Sequence, residues 1–223
     1  MSSRVRAGLL IVGAITYSSW VVDIWLRSGV DPFHGYVSEL GASDRPDGTL
    51  YRTADLFTAL LVGAAGVMGL ASSTGPRTRL GWGGLIGFAI ATAFDSRVPM
   101  TCAPSIRTDC ATAVSRDPLA EALHGVFSAA ATATALLSSL AFLSTARSVA
   151  QTAWMRVLLV GAVSVLGVAT LWTLLAVAVE HHEWLYLGLA QRAQLLGISV
   201  WLVIVGVGPA ARGPLGRTHR TQS

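Results

Sequence analysis

Glu121, His124 and Ser128 follow one another at i, i+3 and i+7, which places them on one face of a helix. A histidine about two turns inside an apolar segment is costly unless paired, and its ordinary pKa near neutrality suits it to acid–base work. Two readings stand for His124: a hydrogen bond to a neighbouring helix, or a catalytic or ligand role. The Glu-x-x-His spacing also occurs on carboxylate–histidine metal helices. Those sites need a second such helix, and this sequence has none, so no metal site is assigned. His181 and His182 are adjacent, diverge by about 100° on a helix and cannot share one ion. No cofactor is named by any motif, and support for a metal is weak.

Arg192, beside Gln191, lies about 10 Å inside an apolar segment by helical rise. A lone buried guanidinium costs several kcal/mol, so a carboxylate partner is expected, with Glu39, Asp95 and Asp23 the candidates. Such an arginine either holds a bundle together or grips an anionic head group. The expected site is a water-filled pocket shared by the acid–base candidates Glu39, Asp95 and His124. Arg192, Gln191 and Glu121 are the expected substrate-binding side chains. Asp23, Ser19 and Thr16 form a thin polar stripe on the first segment, of a kind that more often packs than reacts. Cys102 and Cys110 are close enough in sequence for a disulfide, the default in an oxidising compartment. A redox pair is the alternative, although the spacing is not Cys-x-x-Cys.

The elements that carry these residues are membrane helices. The chain has 223 residues, 52% hydrophobic and 13% charged, with a mean hydropathy of +0.58. Soluble domains carry roughly a quarter charged residues. The net charge of +4 does not point to nucleic acid, because the arginines sit at the ends of apolar runs rather than along a polar face. All 16 basic residues are Arg. With no Lys there is no Schiff base, and with no Asn there is no N-glycosylation acceptor.

A spanning helix needs about 20 mostly apolar residues. Six segments qualify: Ala7 to Leu26, Ala54 to Ala71, Leu80 to Phe94, Leu119 to Thr145, Trp154 to Val179 and Leu185 to Gly208. Strict alternation is missing, which argues against a β-barrel. On one side of these spans lie Arg4, Arg6, Arg77, Arg79, Arg147, Arg156, Arg212, Arg217 and Arg220, with no acid. All 12 acids fall on the other side. The positive-inside rule then puts both termini in the cytoplasm and the polar chemistry outside. The expected fold is all-α: a six-helix transmembrane domain over 1–208 and a disordered basic cytoplasmic tail over 209–223. Ala65-x-x-x-Gly69 and Gly83-x-x-x-Gly87 fit close helix packing.

The stretch Gly35-Tyr36-Val37-Ser38-Glu39-Leu40-Gly41-Ala42 follows the first span. Asp95, Pro99 and Cys102 close the third, Leu123-His124-Gly125 opens the fourth, and Gln191-Arg192 opens the sixth. In that order these elements resemble the bacterial six-span membrane family called domain of unknown function 998. The resemblance implies the same six-span architecture, in a plasma membrane, and no defined activity. The Ser-Glu-Leu-Gly loop is fainter in its likeness to the Frag1/DRAM-type proteins of lipid remodelling, which implies a lipid as ligand. Six- to seven-span hydrolases of the ceramidase type are a more distant analogue, and the His-x-x-x-His that they carry is missing here.

Two lipid-related functions follow, an enzyme acting on a lipid or isoprenoid and a binder of one. The alternative is a non-catalytic structural subunit of a larger membrane assembly. The expected partner is membrane lipid, with no nucleic acid.

Overall fold

A computed structural model describes residues 3–107, 109–110, 117–145, 153–179 and 185–208. The tail from 209, Arg116, Arg147 and the stretch 180–184 with His181 and His182 lie outside the described residues. The described residues form six long helices and no strand: α1 (Ser3–Tyr17), α2 (Gly48–Ala71), α3 (Pro76–Arg97), α4 (Pro118–Ser144), α5 (Ala153–Ala178) and α6 (Leu187–Val207). Their starts are written locally. Pro76 and Pro118 stand in the first turn of their helices, where a missing N–H costs nothing. The Asp117 carboxylate caps α4 by accepting from the Leu119 and Ala120 amides.

Among the described residues, four helices are long and apolar enough to cross a membrane: α2, α4, α5 and α6. A fifth span results if α1 is joined to the helical turns of Ser19–Leu26, which bend away from it by 42°. The chain is therefore an all-helical, multi-pass membrane protein. At 22 residues α3 is long enough, but it falls short in hydropathy. Arg77 and Arg79 open it, Asp95 and Arg97 close it, and glycines dilute its middle. One face turns inward, with Trp82, Leu85 and Phe88 fully buried, while Leu80, Ile90 and Phe94 stay exposed.

Neighbouring helices pack in chain order, and α6 returns against α1 to close a ring. The contact between α4 and α5 is the thinnest. Glycines permit the closest approaches. A Cβ at Gly84 would sit 2.7 Å from the Ser138 Cβ, and Gly69 lies against the Trp82 ring. Gly83 faces open space, so the packing stripe on α3 runs through Gly84 and Gly87 rather than Gly83 and Gly87. Arg6, a flanking charge by sequence, is buried at 4% exposure. Its Nη1 donates to the Ser72 Oγ at 2.8 Å, and its guanidinium lies over the Trp82 ring. The first helix breaks at Ser18, whose hydroxyl donates to the Ala14 carbonyl and to the Ser199 Oγ. Thr16 instead meets the Thr58 hydroxyl at 2.7 Å, so the polar stripe of the first segment is split, and its Thr16 part packs.

Candidate functional site

At one end of the ring, the bend after α1, the start of α2, the end of α3 and the starts of α4 and α6 enclose a cavity of about 120 Å³. Asp95, from the last turns of α3, and His124, from the second turn of α4, meet on its wall. The His124 Nδ1 lies 3.1 Å from the Asp95 Oδ1 and 3.0 Å from the Val98 carbonyl oxygen. Both neighbours are acceptors, which assigns the proton to Nδ1 and leaves Nε2 with its lone pair. The Ser128 hydroxyl, one turn further along α4, donates to the same Asp95 oxygen at 2.7 Å. The carboxylate thus holds the imidazole from behind, an arrangement that fixes a general base.

Other candidates fall elsewhere. Glu39 is 1% exposed and does not line the cavity. Its carboxylate accepts from the Tyr36 amide at 2.8 Å, the Ser105 amide at 2.9 Å and the Ser105 hydroxyl at 2.5 Å. It ties the loop before α2 to the loop after α3. Arg192 corrects the expectation of an ion pair. Among the described residues no carboxylate lies within ion-pair distance of its guanidinium. Nη1 instead donates to the carbonyls of Pro32, Gly35 and Gly188 at 2.9, 3.2 and 3.1 Å. Three oriented carbonyl dipoles take the place of a countercharge, with Asp23, Asp31 and Glu39 acting on it from further away. Only glycine fits at Gly188, because a Cβ would lie 2.6 Å from the Gly35 oxygen and 2.8 Å from that of Pro32. Gln191 does line the cavity and accepts from the Val37 amide at 2.7 Å. Glu121 accepts from the Thr101 hydroxyl at 2.8 Å, outside the cavity. Cys102 and Cys110 lie at disulfide distance, their Cα atoms 6.0 Å apart, both buried.

The cavity therefore gathers Asp95, His124 and Gln191 and leaves out Glu39, Arg192 and Glu121. It also contains Asp55, which the sequence reading did not single out. Asp55 is half-buried in α2 and acts electrostatically on Asp95 and His124. The missed signal was length: the apolar run begins at Ala54, but the helix begins six residues earlier, at Gly48. Asp55 is thus two turns inside a helix instead of at its end. Among the described residues no three His, Cys, Asp or Glu side chains converge as a metal site.

A six-helix ring with a His–Asp pair at one end is a helical membrane protein with a candidate acid–base site. The chain matches the family described as Protein of unknown function (DUF998) over residues 10–208 and belongs to it. No curated protein and no solved structure matches the chain. The likeness to Frag1/DRAM-type proteins remains a resemblance of one loop.

Proposed function

We propose that this chain is a six-span protein of the plasma membrane, with both termini cytoplasmic, that performs acid–base chemistry on a lipid or isoprenoid head group. The observation that carries the reading is His124 held through Nδ1 by Asp95, beside a cavity at the end of apolar helices. With Nδ1 fixed, Nε2 is the atom that takes a proton from a hydroxyl, either of water or of the head group. Asp95 stabilises the imidazolium that forms, and Ser128 keeps Asp95 oriented. Support for lipid as the substrate class comes from the surroundings. Ile24 and Trp25 after α1, Phe94 on α3 and Leu119 on α4, all on elements that bound the cavity, are apolar and exposed, so any ligand entering sideways comes from the bilayer. The arginine asymmetry supports the orientation, and the length of α3 supports a sixth span.

The test compares cells producing the wild-type chain with cells producing His124→Ala, by mass spectrometry of extracted lipids. Metal analysis is run on the purified proteins. The expected result is a lipid species that changes with the wild type and not with the variant, at equal protein levels and thermal stability. Identical lipid profiles from two equally folded proteins would overturn the catalytic reading. A metal ion at one per chain would replace His124 as the activating group.

A further inference from the structure

Asp55 is the charged group on the cavity wall that the acid–base reading does not use. It is half-buried in α2, and among the described residues it has neither a hydrogen bond nor an ion pair. Asp95, by contrast, is engaged by both Ser128 and His124. Arg52, one turn earlier on α2, also lines the cavity, but its guanidinium is turned to the loop. It donates to the Gly41 carbonyl at 2.7 Å, the Ala42 carbonyl at 3.3 Å and the Thr49 hydroxyl at 3.0 Å. A second observation lies one helix away. Thr92 of α3 borders the same cavity at 4% exposure, and its hydroxyl has no hydrogen-bond partner.

We infer that the cavity takes a primary ammonium group, with Asp55 as its counter-ion and Thr92 as a further acceptor. This deepens the reading above, on which it rests for the lipid, and names the substrate class as an amine-bearing phospholipid head group. Charge decides first. An anionic head group meets an unpaired carboxylate and is repelled, and a neutral one leaves that half-buried carboxylate without a counter-charge. Size decides next. The cavity, at about 120 Å³, is well below the roughly 300–1,000 Å³ of pockets for drug-sized ligands, so it holds a head group and not an acyl chain. Ligand type decides last. An ammonium offers three N–H donors, which suits a carboxylate and a hydroxyl. The rings of Tyr17, Trp20 and Tyr51 on the wall suit an organic cation. A metal ion would need more converging ligands than the described residues supply.

The experiment titrates the purified full-length chain in detergent with dihexanoyl phosphatidylethanolamine, dihexanoyl phosphatidylglycerol, ethanolamine chloride and sodium chloride, read by calorimetry. Both amines bind, and the phosphatidylglycerol binds at least about tenfold more weakly. Asp55→Asn weakens amine binding about ten- to hundredfold, the range for losing a charged hydrogen bond. Thr92→Val weakens it less and serves if Asp55→Asn fails to fold. Equal binding of the two phospholipids overturns the inference, as does saturation by sodium in competition with ethanolamine. Binding of ethanolamine without the phospholipid supports the ammonium site and removes the lipid. Binding of phosphatidylethanolamine, with lipid profiles unchanged by His124→Ala, supports the site and removes the chemistry.

Discussion

The loops before α2 and after α3 and the cavity beside them contain the same kinds of residue and treat them differently. In and against the loops several buried or half-buried charges are answered by backbone, although Asp31 pairs with His34 and Arg107 with Asp109 and Asp44. Glu39 accepts from two amides and a hydroxyl. Arg52 and Arg192 donate to carbonyls, and Arg45 donates to the Ser28 carbonyl. In the cavity Asp95 and His124 answer one another, while Asp55 has neither a hydrogen bond nor an ion pair among the described residues and feels His124 only from further away. Burial alone does not separate a functional charge from a structural one. The partner does, because backbone dipoles are fixed at folding, whereas a side chain without a partner leaves an interaction for a ligand to make.

The contrast breaks most visibly at Glu39. Glu39→Ala leaves the Tyr36 and Ser105 amides buried without an acceptor and should destabilise the fold by about 3 to 5 kcal/mol, seen as a lower unfolding temperature in detergent. An unchanged temperature would mean that Glu39 is not a structural tie. Reduction of the Cys102–Cys110 pair comes next, at about 2 to 3 kcal/mol on the loop-closure model. Thiol labelling should be near zero before reductant and complete after it. Arg192→Ala should cost about 2 kcal/mol by releasing the Pro32–Gly35 turn from α6. Amine binding in the cavity should survive it, and loss of binding at full stability would make Arg192 a ligand group after all. The smallest effect is electrostatic and exposed. The Asp31 carboxylate is held below its ordinary value of 3.8, first by a hydrogen bond from His34. A depressed folded pKa contributes stability above pH 3.8, lost as pH falls through the lower folded value. Both partners are over 40% exposed, so solvent screening limits this to about 0.3 kcal/mol. Asp31→Asn should therefore flatten the acid limb of the stability curve slightly, and a larger change would mark Asp31 as buried in function.

The helices were legible because apolar runs and terminal arginines mark them. All six runs lie within six long helices to a few residues, the first with its bend. That bend was not legible, since no proline announces it and the Ser18 hydroxyl acts through the Ala14 carbonyl and the distant Ser199 hydroxyl. Asp95 and His124 were legible as candidates because each is costly at its depth, and their meeting follows from sharing one end of adjacent helices. The partners of Arg192 were not, because a sequence displays carboxylates and hides carbonyls, and those of Pro32 and Gly35 carry no mark in it. Glu39 misled for the same reason, its amide donors being invisible in one-letter code.

One paired measurement goes straight to the difference between the two regions. Glu39→Gln and Asp55→Asn remove the same charge with almost the same shape. Their thermal stabilities, read side by side in detergent without ligand, should respond differently. Glu39→Gln lowers the unfolding temperature, because the amide cannot accept as well from three donors. Asp55→Asn leaves it unchanged or raises it, because a half-buried carboxylate without a hydrogen bond or ion pair is a cost to the empty protein. If Asp55→Asn destabilises the fold as much as Glu39→Gln, Asp55 is a structural charge, and the cavity is not a site held open for a ligand.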